Sequence, residues 1–231
     1  MEKFFKNNQV GIIGDVILDK YKYFKAIRLS PEGPAPVVRF ISQSLSLGGA
    51  ANVALSIANL GLNIELNYAE AAEEEFENIK FLKENLSKSS VDYKRIKSNL
   101  KNAIPLKIRY YVDGKQFMRE DIEENNIPKV DLLSNKYIEK IIQKYDVLIL
   151  SDYQKGLISN NVMQNIISLC NFKNIPLFID TKNIKKDCIK NAFCLKINES
   201  EFNNLFKEYK IGFDDPSDLI NNKLNLAKKS F

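Results

Sequence analysis

The sequence predicts an α/β fold in which helices flank a mainly parallel sheet and a small antiparallel sheet covers one edge. The evidence is a set of short apolar runs, helical periodicity between them, and one strong hairpin signal. Strands of parallel sheets are buried on both faces and are therefore continuous apolar runs, and their alternation with helices is typical of this fold class. The predicted strands are Val10–Ile13, Ile64–Asn67, Val147–Leu150, Pro176–Ile179 and Phe193–Lys196. The predicted helices include Ala50–Leu60, Glu73–Leu86, Asn135–Lys144 and Val162–Cys170.

Two stretches outside this alternation predict the small sheet. Tyr21–Ser42 alternates aromatic, basic and apolar residues around three prolines, and Leu106–Arg119 contains Asp113-Gly114 between β-prone residues. Asp-Gly is the strongest signal for a two-residue hairpin, and such a turn would pair Tyr110 with Phe117. The pattern alone favours a separate antiparallel sheet no more than it favours an ordinary surface hairpin.

The last segment, Asp215–Phe231, predicts a helix that Asp215 or Ser217 can cap. No strand follows it. Since an α/β domain rarely stops after a helix that leads to no strand, we expect the C-terminal part of the domain to be missing from this chain.

Composition excludes several classes of function. The net charge of +5 comes from scattered lysines without interleaved aromatic residues, which argues against nucleic-acid binding. The chain of 231 residues contains no histidine, which excludes Ser-His-Asp and Cys-His catalysis and every metal site that contains histidine. The three cysteines lack CxxC spacing, which favours reduced thiols in the cytoplasm. The N-terminus is not a signal peptide, and no apolar run approaches the ~20 residues of a membrane span.

Polar side chains follow four of the predicted strands. Asp15 and Asp19 come after the first, Ser151–Lys155 after the third, Asp180–Lys182 after the fourth and Asn198–Glu201 after the fifth. Ligands of open parallel sheets bind beyond the carboxyl ends of the strands. The four groups together therefore predict one shared site, although polar residues are common at strand ends.

The stretch Ser46–Gly61, SLGGAANVALSIANLG, leads from two glycines into a helix. Gly48 and Gly49 permit close approach of a ligand, and Asn52 offers both a donor and an acceptor near the free N–H groups of the helix start. On spacing alone, a plain turn into a closely packed helix is the favoured alternative, with Val53, Ile57 and Leu60 as its core stripe. The stretch is not a GxGxxG motif, so a dinucleotide fold is poorly supported.

The sequence GGAANVALSIANLG resembles the first signature of the ribokinase-like (PfkB) carbohydrate kinases. The segments GDVILDKY, SPEGPAPVV, LSDYQKG and NESEF resemble, in order and spacing, the heptose-7-phosphate kinase domains of this family. The resemblance implies a ribokinase-like fold, with one partial kinase domain over residues 1–231 and lid strands inserted at about 21–42 and 106–121. It also implies transfer of the ATP γ-phosphoryl, with Mg²⁺, to the anomeric hydroxyl of a heptose 7-phosphate, a step of ADP-heptose and lipopolysaccharide-core synthesis.

The resemblance further implies roles for individual residues. Asp15 and Asp19 correspond to acids that bind sugar hydroxyls, and Gly48, Gly49 and Asn52 correspond to substrate-binding residues. The two irregular stretches correspond to the lid, which in this family covers the sugar and often forms a dimer.

The phosphate groups have their own implied partners. Arg109 and Arg119 lie in the lid, where either can meet the phosphate of the substrate. Asp152 and Lys155 match the D-Y-x-K-G loop near the phosphate path. Asn198 and Glu201 match the N-x-x-E motif, which organises Mg²⁺ and the ATP phosphates, so Glu201 is also the candidate metal residue. A helix cap with a capping-box glutamate is the alternative for this pair.

Two departures from the family pattern bear on activity. The Gly-Ala-Gly-Asp motif, whose aspartate is the general base, is not in this chain, so no catalytic base is assigned and we expect the chain alone to be inactive. The family's Gly-x-x-Gly-x-Asp loop is replaced by YAEAAEEEF. Three hypotheses follow: a heptose-7-phosphate kinase portion, a non-catalytic sugar-phosphate-binding or dimerisation module, and an α/β nucleotide-binding protein of unrelated chemistry.

Overall fold

In the computed structural model, which describes residues 9–72, 74–100, 103–123, 132–182 and 191–201, the chain forms two sheets and four helices within those ranges. The predicted helix Asp215–Phe231 lies outside the described residues. The strands are β1 (Gln9–Gly14), β2 (Val16–Leu29), β3 (Pro36–Gly48), β4 (Asn63–Ala71), β5 (Val91–Ser98), β6 (Leu106–Val112), β7 (Lys115–Ile122), β8 (Val147–Asp152), β9 (Leu177–Thr181) and β10 (Cys194–Lys196). The helices are α1 (Gly49–Ala58), α2 (Phe76–Lys88), α3 (Asn135–Ile142) and α4 (Asn160–Lys173).

The first sheet is parallel throughout and has the strand order β10-β9-β8-β1-β4-β5. The five apolar runs of the sequence are its strands β1, β4, β8, β9 and β10, and the predicted parallel sheet is confirmed. Strand β5 was not predicted. Within β5 only Val91, Ile96 and Ser98 are buried, and the other residues are exposed or half-buried, as expected of the edge strand among the described residues.

Helices cover both faces of this sheet, so that successive residues of β1 enter different cores. Ile12 packs with the alanines of α1 and with α2, whereas Ile13 packs with α3 and α4. Ala50, Ala51 and Ala54 are fully buried, which brings α1 close to the sheet. The predicted core stripe of α1 is therefore wrong in one respect. Small residues make the buried face, and Leu60 is 75% exposed beyond the helix.

The second sheet, which we call the lid, has the strand order β3-β2-β6-β7. It is mixed and not antiparallel as predicted, because β2 pairs with β6 in parallel. Between β2 and β6 the chain runs through β3, α1, β4, α2 and β5, and a crossover connection of that length permits parallel pairing. The prolines of the first stretch lie in or beside the turn between β2 and β3.

The Asp113-Gly114 hairpin is confirmed, but its predicted register is wrong. Tyr110 pairs with Met118 and not with Phe117, because a register shift follows the Tyr111–Gln116 pair. Such a bulge adds one residue to a strand and increases its twist. The two turn residues predict the hairpin but not the bulge, so they do not predict the register beyond it.

The chain passes from the core into the lid, and returns from it, at neighbouring points. Asp15 is the one residue between β1 and β2, and Gly48-Gly49 joins β3 to α1. Gly49 has a φ of +57°, and a Cβ there would lie 2.3 Å from the Asp15 carbonyl oxygen. Only glycine fits this turn without strain, because both the backbone angle and the close approach exclude a side chain.

Candidate functional site

The topology of the parallel sheet places a crevice between β1 and β8. From β1 the chain moves outward through β4 and β5 on one side, and later through β8, β9 and β10 on the other. Ligands of open α/β sheets bind at such a switch point, outside the carboxyl ends of the strands. Asp15 follows β1 and Asp152 ends β8, so two carboxylates stand at this crevice.

Asp15 is 4% exposed and connects three elements. Its backbone N–H donates to the Ser151 carbonyl (2.9 Å), and its own carbonyl accepts from the Ala50 N–H at the start of α1 (2.9 Å). Its Oδ2 accepts from the backbone N–H groups of Tyr153 (2.8 Å) and Lys155 (3.0 Å). Asp15 therefore holds the glycine turn and the β8–α4 loop against the end of β1.

Asp152 is also buried and fixes the other side of the loop. Its Oδ1 accepts from the Gln154 N–H (2.8 Å) and its Oδ2 from the Thr181 hydroxyl on β9 (2.6 Å). Burial raises its pKa. Burial and then the nearby charge of Asp152 raise the pKa of Asp15 from 3.8 to about 6, against the backbone N–H bonds that favour the carboxylate.

Asp19 lies on strand β2, four residues after Asp15. Its Oδ1 accepts from Arg109 on β6 at 2.6 Å, and both side chains are about one-fifth exposed. Its Oδ2 lies against Gly48, since a Cβ at Gly48 would be 2.6 Å from it. The arrangement brings together three residues that the sequence analysis selected separately.

Further charged pairs continue along the lid. Arg119 is the cross-strand partner of Arg109, and it donates to Asp121 Oδ2 at 2.8 Å. Lys155, from the β8–α4 loop, donates through Nζ to Glu123 Oε2 at 2.7 Å, just beyond the end of β7. The lid and the loop are therefore connected by an ion pair whose side chains are 20% and 26% exposed. Asn52 is exposed in the first turn of α1, close to the glycine turn.

Asn198 and Glu201 lie apart from these residues, after β10. The Asn198 N–H donates to Glu201 Oε2 (2.9 Å), and the Glu201 N–H donates to Asn198 Oδ1 (2.8 Å). This reciprocal pair is the capping box that the sequence analysis kept as the alternative. Lys182 after β9 bonds the other oxygen, Glu201 Oε1, and its ammonium also lies 5.7 Å from the centre of the Tyr153 ring.

The Glu201 carboxyl is held in its charged form. Burial by itself would raise the pKa of Glu201, but the hydrogen bonds from Lys182 and from the Asn198 backbone, with the charges of Lys182 and Lys196, lower it below its usual value. Lys196 in turn bonds Asp180 at 2.8 Å.

Among the described residues, no group of three or more acidic or cysteine side chains is placed to hold an ion. Each oxygen of Glu201 accepts one hydrogen bond, one from Lys182 and one from the Asn198 N–H, and keeps a second lone pair. Magnesium ions bind proteins through one or two carboxylates together with substrate phosphates, and the chemistry of Glu201 is compatible with that role.

Sequence reasoning missed several residues that shape the site. Thr181 and Lys182 were noted only as strand-end residues, and Glu123 was not noted. Glu74, within YAEAAEEEF, accepts from the backbone N–H groups of Ala103 and Ile104 at the approach to β6. Glu74 is half-buried, and the backbone donors that it meets are about 30 residues away in the sequence, so no local pattern predicts the contact.

In the part of the chain that the structure describes, every helix is too short or too polar to cross a membrane.

Comparison with known proteins identifies relatives by sequence. The model of the pfkB family of carbohydrate kinases matches residues 8–229. The bifunctional protein HldE of Blochmanniella pennsylvanica (strain BPEN) is 36% identical over 203 residues, which are 87% of this chain and 41% of that protein. The HldE of Histophilus somni (strain 129Pt) is 37% identical over 202 residues, 86% of this chain and 40% of that protein. The chain thus spans about two fifths of the length of the curated relatives it matches.

Solved structures share the fold at low sequence identity. Phosphofructokinase-2 from Escherichia coli in complex with fructose-6-phosphate has a TM-score of 0.68 at 17% identity, covering 96% of this chain and 70% of that chain. Arabidopsis thaliana ribokinase complexed with ribose and ATP has a TM-score of 0.67 at 15% identity, covering 96% and 68%. These likenesses show the fold, and the predicted ribokinase-like architecture is confirmed.

The buried carboxyl of Asp15 predicts an unusual dependence of stability on pH. Between about pH 4 and 6 the folded chain keeps a proton that the unfolded chain loses, so the free energy of unfolding falls as the pH rises, by about 3 kcal/mol in total. Asp15→Asn has no carboxyl to titrate, so its free energy of unfolding should not fall in this way. The difference in free energy of unfolding between Asp15→Asn and the wild type should therefore shift in favour of the variant between pH 4 and pH 7, and urea unfolding at both pH values measures this difference. A stability difference that does not change with pH would contradict the assignment.

Proposed function

Because the chain belongs to the pfkB family of carbohydrate kinases, we propose that it binds a heptose 7-phosphate as the acceptor for ATP-dependent phosphorylation at the anomeric hydroxyl. The observation that carries the proposal is the meeting of Asp19, Gly48 and Arg109 where the lid joins the core. A sugar needs acceptors for its hydroxyls, and its phosphate needs cations. This junction offers both within one small region.

The sugar would lie against the glycine turn. Gly48 and Gly49 present backbone without side chains, so a ring can approach closely. Asp19 accepts hydrogen bonds from hydroxyls, and Asn52 both donates and accepts. Asp15 and Asp152 belong to the same site, where they hold the surrounding backbone.

The phosphate of the acceptor would lie toward the cations of the lid and the loop. Arg109, Arg119 and Lys155 each have a carboxylate partner in the structure. A phosphate dianion forms stronger charge-assisted bonds than a carboxylate, and it can take over one of these cations. An unphosphorylated sugar cannot, so the arrangement favours a sugar phosphate.

The phosphates of ATP would meet the group after β9 and β10. Lys182 supplies a positive charge there, and Asn198 and Glu201 hold the local backbone through their capping box. Phosphoryl transfer depends mainly on positioning and on neutralising charge. ATP supplies the phosphoryl group and Mg²⁺ supplies charge neutralisation when bound. This chain's residues orient the acceptor and order the backbone around it.

We also propose that the lid mediates a homodimer. Large apolar side chains lie exposed on its strands, among them Phe40 at 54%, Ile41 at 60% and Phe117 at 64%. Exposed apolar patches of this kind mark association surfaces. A second copy of the chain could cover them by pairing lid against lid.

Substrate binding is tested with Asn52→Ala, measured by titration calorimetry with heptose 7-phosphate. Binding is measured and not turnover, because the Gly-Ala-Gly-Asp motif is not among these residues. Loss of a hydrogen bond to a hydroxyl should weaken affinity about tenfold. Asn59→Ala is the control, since Asn59 is an exposed asparagine at the other end of α1. Equal affinities of the two variants would remove Asn52 from the site, and no binding by the wild type would refute the proposed function.

The dimer is tested by sedimentation velocity of Phe40→Asp. A charge buried between two lids should shift the chain to the monomer, because an unpaired charge is costly to bury. Phe172→Asp is the matched control, since Phe172 is 83% exposed on α4, away from the lid. A monomeric wild type, or a dimer that survives Phe40→Asp, would contradict the lid interface.

A further inference from the structure

We propose that Asp15 is a positioning residue that fixes Lys155 for the phosphate of the acceptor and does not itself touch the sugar. The inference rests on the proposed function and deepens it. It separates the two acids of the GDVILD segment, which the sequence alone treats as equivalent sugar ligands.

The hydrogen bonds of Asp15 point to this role. Oδ2 already accepts from the N–H groups of Tyr153 and Lys155, and the side chain is nearly enclosed. A sugar hydroxyl at Oδ2 would compete with these backbone donors, and the enclosure of the side chain leaves little access to the carboxyl. The contrast with Asp19 is direct, since Asp19 is about one-fifth exposed and bonds a side chain of the lid.

Asp15 is itself rigidly held, as a positioning residue must be. It is the single residue between β1 and β2, and its backbone bonds reach Ser151 on β8 and Ala50 on α1. Its carboxylate cannot move far without breaking these bonds. Asp15 therefore fixes the position of the loop relative to the central strands of the parallel sheet.

The loop needs such an anchor because its backbone is strained. Gln154 has a φ of +59° and Gly156 a φ of +100°, so Lys155 lies between two residues in left-handed conformations. A left-handed conformation is unfavourable for a non-glycine residue such as Gln154. The bonds from Tyr153 and Lys155 to Asp15, with that from Gln154 to Asp152, offset this cost.

Lys155 is consequently fixed at both ends by acids from different elements. Asp15 holds its backbone from the core, and Glu123 holds its ammonium from the end of the lid strand β7. A phosphate that enters between core and lid meets an ammonium already aimed at the junction. Such preorganisation lowers the entropic cost of binding.

The first test uses amide hydrogen exchange of the ligand-free chain. Asp15→Ala should speed exchange at the N–H groups of Tyr153 and Lys155 about tenfold or more, because two bonds to a charged acceptor are lost. Asp19→Asn is the matched control and should leave both rates unchanged. Unchanged rates in Asp15→Ala would overturn the proposal.

The second test asks whether Asp15 acts through Lys155. The readout is the ratio of affinities for heptose 7-phosphate and for the same heptose without phosphate. Lys155→Ala should lower this ratio about tenfold, and Asp15→Ala should lower it severalfold. The double variant should lower it no further than Lys155→Ala alone. Additive losses, or equal losses of affinity for both sugars, would make Asp15 a direct sugar ligand or a purely structural residue and would overturn the proposal.

A conservative variant keeps the tests decisive if Asp15→Ala does not fold. Asp15→Asn retains one oxygen that can accept from the loop but carries no charge. The Tyr153 and Lys155 amides of this variant should therefore exchange faster than those of the wild type, and its affinity ratio should lie between those of the wild type and Lys155→Ala. Rates and ratio equal to those of the wild type would overturn the proposal. A wild type that does not prefer the phosphorylated sugar would refute the proposed substrate instead. The exchange test would then still show whether Asp15 orders the backbone of the loop.

Discussion

The hydrogen bonds of Asp15 hold one strand of the parallel sheet, one helix and one loop together at the residue where the chain passes from that sheet into the lid. Through its backbone, Asp15 joins the end of β1 to Ser151 on β8 and to Ala50 on α1, and through its carboxylate it orders the loop that carries Lys155. This arrangement buries the Asp15 carboxyl beside that of Asp152, which raises the pKa of Asp15. Proteins accept such costs at functional sites, where perturbed acids concentrate. The glycine turn follows from the same contact, because Gly49 must pass close to the Asp15 carbonyl.

Charge pairing would give the proposed site at the lid junction its selectivity for a sugar phosphate. Each cation there is matched with a carboxylate before any ligand arrives, as in the pairs of Arg109 with Asp19 and Lys155 with Glu123. These side chains are only partly exposed, so their interactions are stronger than those of surface pairs. A neutral sugar gains little by separating them. A phosphate dianion replaces a carboxylate with a stronger acceptor, which makes the phosphate of the acceptor the feature that the proposed site recognises.

The sequence predicted the parallel core well, because strands buried on both faces leave apolar runs that can be read locally. Strand β5 was missed because an edge strand keeps charged residues at alternate positions, as in Asp92 and Lys94. The motif residues at the strand ends were predictable as a group. Their contacts were not, since Asp19 and Arg109 are 90 residues apart and no local pattern records their pairing. The same applies to the parallel pairing of β2 with β6, which depends on the path of the chain between them.

The most direct test of the account is a crystal structure of the chain with heptose 7-phosphate. We expect sugar hydroxyls within about 3 Å of Asp19 and Asn52, and a phosphate oxygen within about 3 Å of the Lys155 ammonium or of a lid arginine. Asp15 should keep its bonds to the loop and make none to the sugar. A sugar phosphate bound away from the glycine turn, or one whose phosphate faces solvent while Lys155 stays with Glu123, would contradict the proposed site.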